Sequence, residues 1–189
     1  MRNTVLAKAV IGQETLLRKA GLVLGGSFFI ALAAQVSVPF FPVPLTLQTL
    51  AILIVGLTFG SRLGAVTLLA YLAEGAMGLP VFANGMNGAA LMGPTAGFLF
   101  GFVGMAYLAG LAVEKGLARG VVTTAVCGIA ISALLYVPGL AWPAAVLGKS
   151  MPELWTYWMS PFLLGDAVKA VIAAMVVAGG WATMRARKG

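Results

Sequence analysis

Between Lys19 and Arg62 the chain carries no charged residue at all. Other uncharged stretches follow, the last running from Lys169 to Arg185. A helix needs about 20 predominantly apolar residues to cross the hydrocarbon core of a bilayer. This spacing of charge therefore predicts a chain built of membrane helices. Composition agrees: 61% of the 189 residues are hydrophobic and 9% are charged, where a soluble domain carries about 25% charged residues. The alternating ten-residue segments of a membrane β-barrel are absent. The expected fold class is an all-α integral membrane protein.

Prolines and turn residues divide the apolar stretches. Pro39, Pro42 and Pro44 interrupt the first one, giving spans at about residues 17–38 and 45–59. A third span covers about 62–79, and "VFANGMNGAALMG" after it holds two Asn-Gly turn signals. Spans at 94–113, 121–137 and 161–184 complete six, with Pro94 expected in the first turn of the fourth. The tryptophan-rich residues 141–159 are expected to lie along the membrane–water interface. The whole chain, 1–189, reads as one six-helix domain. Lys8, Arg18 and Lys19 ahead of an apolar stretch ending Ala31-Leu32-Ala33-Ala34 imitate a signal peptide, but the stretch continues to Val38 and reads as the first span.

Basic residues set the orientation. Arg2, Lys8, Arg18, Lys19, Arg62, Lys115, Arg119, Arg185, Arg187 and Lys188 fall on one side of a six-span chain, and Lys149 on the other. The positive-inside rule makes both termini cytoplasmic. The proline loop, the Asn-Gly loop and the tryptophan segment then face outward.

Several chemistries are excluded. The net charge of +7 is spread thinly and never interleaves with aromatics, so no nucleic-acid surface is expected. There is no histidine, and Cys127 has no second cysteine, which removes the usual zinc, disulfide and imidazole-relay chemistry. "LGKS" at 147–150 ends like a phosphate loop, but Pro143 stands where that motif needs its first glycine. ATP-driven work would need another subunit, and no cofactor or metal is expected.

The candidate ligand site is the pair Asp166 and Lys169 in "SPFLLGDAVKAVIAAM". Residues three apart share a helix face. A charge at the bilayer centre costs at least about 2.5–3.5 kcal/mol, so an intramembrane pair needs a reason to exist. At 1.5 Å per residue they lie about 8 and 12 Å below Pro161 at the outer end. They would either line a cavity open to the outside or form a salt bridge that only joins helices. Gln48 can donate and accept, and suits either a ligand or an interhelical contact. Asn84 and Asn87 are turn residues that could also reach a cavity mouth. Glu74 is expected to snorkel to the interface, with lining of the cavity as the less favoured alternative. Small residues Gly21, Gly25, Ser27 and Ala31 would let another helix approach span one, from within the bundle or from a partner.

"PFFPVPLTLQTLAILIVG", "GLPVFANGMNGAALMGPTAGFLFGF" and "PFLLGDAVKA" occur in this order. In that combination the chain resembles the BioY family, the biotin-binding substrate subunits of energy-coupling factor (ECF) transporters. The resemblance implies a single bundle of six helices in the bacterial cytoplasmic membrane that captures biotin from outside. It also implies a membrane coupling (T) subunit and two cytoplasmic ATPase subunits as partners, with the substrate subunit toppling during transport. Asp166 and Lys169 would contact the vitamin, with Asn84 and Gln48 as further contacts and the Pro-Val-Pro loop, including Phe41, as a lid. Gly21, Gly25, Ser27 and Ala31 would form the coupling face. The alternatives are a substrate subunit for another vitamin and an ion-coupled secondary transporter using Asp166. An intramembrane enzyme lacks any nucleophile–base constellation.

Overall fold

The structure is a computed structural model that describes residues 5–7 and 15–186. Arg2, Lys8, Arg187 and Lys188, which carry part of the orientation argument, lie outside the described residues. Among the described residues there are six helices of twelve residues or more: α1 Leu16–Gln35, α2 Gln48–Phe59, α3 Ser61–Ala76, α4 Ala96–Glu114, α5 Val121–Leu147 and α6 Ser160–Ala186. Four helical runs are long and apolar enough to cross a membrane: α1, α4, α5 and Met151–Met184, which contains most of α6. By the helical rise α2 is about 18 Å long and α3 about 24 Å, against a hydrocarbon core of about 30 Å.

The first span ends earlier than expected and the second begins later. Ser37–Val38 and Leu45–Thr46 pair antiparallel as a small hairpin, with Ser37 opposite Thr46 and Val38 opposite Leu45. Prolines within the enclosed turn force extended backbone on the residues before them. Pairing across the hairpin satisfies main-chain groups that a helix could not.

Two corrections concern the C-terminal end of α5. The fifth span does not stop at Val137: the helix continues through Pro138 and Pro143 to Leu147. Membrane helices tolerate proline because neighbouring groups re-satisfy the freed carbonyls; the helix then closes at its C-terminus, where Pro143 O accepts from Lys149 N at 3.1 Å. Residues 141–159 are consequently not one interfacial segment. Their first part completes α5, and their second, Met151–Glu153 and the wider turns of Leu154–Met159, leads directly into α6. Only 148–150 separate α5 from the helical run, starting at Met151, that leads into α6. Gly148 has a φ of 63°, and Glu153 accepts from Ser150 N at 3.0 Å to restart the helix. Pro94 also lies outside the helix it precedes, since α4 begins at Ala96.

In lipid, helices gain little from hydrophobicity and pack through close backbone approach at small residues. Helix α4 lies against α2, α3 and α5 in this way. A methyl group on Gly110 would come within 2.1 Å of Ser61 N, and one on Gly56 within 2.6 Å of Ala106 O. Gly60 alone joins α2 to α3, at a φ of 88° that favours glycine. Glu114, at the end of α4, caps α3 by accepting from Ser61 N at 2.8 Å and Ser61 Oγ at 2.7 Å. Helix α1 is peripheral: Leu24, Phe28 and Leu32 are exposed while Ile30 and Ala34 are buried.

Candidate functional site

A cavity of about 250 Å³ lies between the proline hairpin, the start of α2, the 82–95 loop and helices α4, α5 and α6. Drug-sized ligands occupy roughly 300–1,000 Å³, so this space suits a small ligand. Its walls are largely aromatic and aliphatic, with Phe98, Phe102, Leu135 and Phe162 among them. The Phe40 ring meets Phe162 edge-on at 6.0 Å, and Phe98 meets Tyr136 edge-on at 5.9 Å, so these walls are braced. Phe41 stands at the rim, 87% exposed although it borders the cavity.

One end of the cavity is polar. Lys169 Nζ lies 3.2 Å from Asp166 Oδ1. Thr49 Oγ1 donates to the same carboxylate oxygen at 3.2 Å and accepts from Lys169 Nζ at 3.1 Å. The Tyr136 hydroxyl donates to Asp166 Oδ2 at 2.7 Å. The carboxylate is thus supported from α2, α5 and its own helix. Asp166 is buried, and a buried ion pair survives only with this kind of hydrogen-bond support.

Gln48 is buried beside this cluster. Its Nε2 donates to the Tyr71 hydroxyl at 2.7 Å, and Tyr71 donates to Val81 O at 2.8 Å. That chain fixes the amide orientation, because Tyr71 has already spent its proton. The Asn84 backbone is left-handed, with a φ of 58°. Its Oδ1 accepts from Ser37 Oγ at 2.7 Å, which leaves its amide N–H groups to donate. Gln35, the last residue of α1, ties down the same loop: Nε2 donates to Phe82 O at 3.0 Å, and Oε1 accepts from Gly85 N at 3.0 Å. The Phe82 ring packs edge-on to Tyr71 at 5.2 Å. It fills space that a Cβ on Gly75 would enter, within 2.1 Å of the ring.

The BioY family model matches residues 3–186. The chain belongs to the BioY family. The biotin transporter BioY of Rhodobacter capsulatus is 38% identical over 166 residues, covering 81% of this chain and 87% of that one. The biotin transporter BioY of Thermotoga maritima is 35% identical over 159 residues, covering 82% and 92%. Among solved structures, the S-component for biotin from an ECF-type ABC transporter superposes with a TM-score of 0.74. The match covers 94% of this chain and 96% of that one at 22% identity, and shows a shared fold. With its apolar helices, this BioY-family chain is a multi-pass membrane protein.

The four residues named from the sequence as vitamin contacts, Gln48, Asn84, Asp166 and Lys169, and the lid residue Phe41 all border the same cavity. Asn87 instead caps its own loop, accepting from Ala89 N at 3.4 Å. Glu74 does not reach out to the interface. It accepts a hydrogen bond from Ser27 Oγ and so joins α3 to α1.

That contact also divides the four residues expected to form one BioY coupling face. Gly21 and Gly25 are exposed, and a Cβ on either would meet nothing within 4 Å. Ser27 is fully buried, and Ala31 is half-buried. Residues two apart on a helix point about 200° away from each other. Ser27 therefore faces the bundle when Gly25 faces outward.

Sequence reasoning missed Thr49 and Tyr136, the two hydroxyls that hold Asp166. Each left a trace: Thr49 adjoins Gln48 in an apolar run, and a buried tyrosine hydroxyl generally needs a partner.

Proposed function

We propose that this protein captures biotin at the outer face of the bacterial cytoplasmic membrane, as the substrate-binding component of an ECF-type ABC transporter. As a member of a transport family it is not an enzyme. One observation carries the choice of ligand: at the polar end of a small apolar cavity, a carboxylate and an ammonium stand 3.2 Å apart. The bicyclic head of biotin presents N–H donors beside a carbonyl acceptor. Asp166 accepts the N–H, Lys169 donates to the carbonyl, and each charge offsets the desolvation of the other. The thioether ring lies against Phe98, Phe102 and Phe162. The vitamin's carboxylate points to the rim, where the Asn84 amide donates to it and Phe41 closes over the tail.

Charged hydrogen bonds contribute roughly 1.5–3 kcal/mol each, so the ureido group is the main recognition element. Calorimetry of the purified protein gives tight one-to-one binding of biotin, retained binding of desthiobiotin and none of thiamine. Equal binding of thiamine would transfer the assignment to another vitamin.

Six crossings with cytoplasmic termini complete the proposal. The short helices α2 and α3 cross together, with local thinning of the bilayer absorbing their length. With Cys127 replaced by alanine, cysteines at Arg62 and Lys115 stay shielded from an impermeant thiol reagent in intact cells, while one at Met151 labels. Labelling of position 62 from outside would break this topology. A membrane T subunit and two ATPases act as partners, and the exposed Gly21–Gly25 side of α1 is where a partner helix approaches.

A further inference from the structure

We infer that Thr49 and Tyr136 are positioning residues that set the specificity of the proposed biotin site, by leaving the Asp166–Lys169 pair with one free acceptor and one free donor. The inference rests on the biotin reading and deepens it. An ionised carboxylate offers about four acceptor positions and an ammonium three donors. On Asp166, Oδ1 accepts from Thr49 and Lys169, and Oδ2 accepts from Tyr136. One acceptor position remains, on Oδ2. Lys169 gives one proton to Thr49 and one to Asp166, and one remains. Thr49 serves both members at once, as donor to the carboxylate and acceptor from the ammonium.

The ligand edge complementary to these valences carries one N–H next to one C=O and no net charge. A guanidinium edge brings only donors and opposes the last proton of Lys169. A carboxylate brings only acceptors and opposes Oδ2. The two hydroxyls therefore convert a charged pair, which could attract ions of either sign, into a reader of a neutral amide edge. The Tyr136 hydroxyl is held for this role, since its ring is buried against Phe98.

The test compares binding of biotin with that of 2-iminobiotin, the cationic guanidine analogue, in wild type, Tyr136→Phe, Thr49→Val and Thr49→Ser. Loss of the tyrosine proton opens a second acceptor position on Oδ2 and leaves the carboxylate more negative. Biotin binding then weakens about tenfold while the guanidine analogue loses little, so the biotin-to-iminobiotin ratio falls about tenfold. Thr49→Val weakens biotin about tenfold, and Thr49→Ser, which restores the hydroxyl, stays within about twofold of wild type. Equal loss of both ligands in Tyr136→Phe would mean that the tyrosine only packs, and would overturn the inference with the biotin reading intact. If Tyr136→Phe does not fold, the threonine pair decides: equal biotin affinity in the valine and serine variants overturns the inference. A wild-type protein that does not bind biotin overturns the functional reading and this one with it.

Discussion

Asp166→Asn and Lys169→Met each weaken biotin binding by about a hundredfold or more, and the double variant regains folding without regaining affinity. The single changes act in two ways. In the proposed binding mode each removes a charged hydrogen bond to the ligand, about 1.5–3 kcal/mol, and each strands a charge in a low-dielectric site, about 3–5 kcal/mol when a buried pair is broken. The hydrogen bonds make the two unequal. Without Lys169, Asp166 keeps Tyr136 and Thr49 as donors. Without the carboxylate charge, the Lys169 ammonium keeps only neutral partners, Thr49 among them. Asp166→Asn is therefore the more destabilising single change, read by thermal unfolding in detergent. The double variant removes both charges, so its unfolding temperature returns towards wild type while calorimetry still records weak binding. Near-normal biotin affinity in a folded double variant would make the pair a structural strut and move the vitamin elsewhere.

Gly110→Val destabilises the bundle by about 3 kcal/mol, at the upper end of ordinary overpacking. The new Cβ would lie 2.1 Å from Ser61 N and 2.2 Å from Gly60 C. These are backbone atoms at the junction of α2 and α3, so no rotamer change makes room. Pushing the junction away also pulls Ser61 from the Glu114 carboxylate that caps α3. Gly104, on the same helix, is the control: a Cβ there meets nothing within 4 Å. Gly104→Ala should raise stability by about 0.5–1 kcal/mol through helix propensity alone. The paired measurement is the unfolding temperature of the two variants in one detergent. Equal behaviour would mean that α4 does not pack on the α2–α3 junction as closely as this.

The sequence was most legible where a rule acts locally. Charge spacing located the helices because lipid excludes charge whatever the neighbouring helices do. Asp166 and Lys169 were legible as a pair because residues three apart share a face in any helix. The Ser150-Met151-Pro152-Glu153 stretch carries a helix-start signature that argues against an interfacial reading of 141–159, while the tryptophan content argues for one. Prolines misled in the same region. In water Pro138 would mark a helix end, whereas inside a bundle α5 runs through it to Leu147.

By itself, then, the sequence determined the membrane class, the existence and approximate extent of most helices, the bias of positive charge and the Asp166–Lys169 pair. Only the tertiary structure decided which faces point inward. These helices are apolar nearly all round, and lipid is as apolar as a protein core, so hydrophobic periodicity cannot separate the two sides. For that reason Ser27 could be grouped with Gly21 and Gly25 until its bond to Glu74 turned it inward. The same holds for the site. Thr49 stands 117 residues from Asp166 in the chain, and Tyr136 stands 30 from it. No spacing rule relates residues on different helices. Their meeting at one carboxylate depends on how α2, α5 and α6 pack, and that packing rests on glycines and alanines whose contribution is the absence of a side chain.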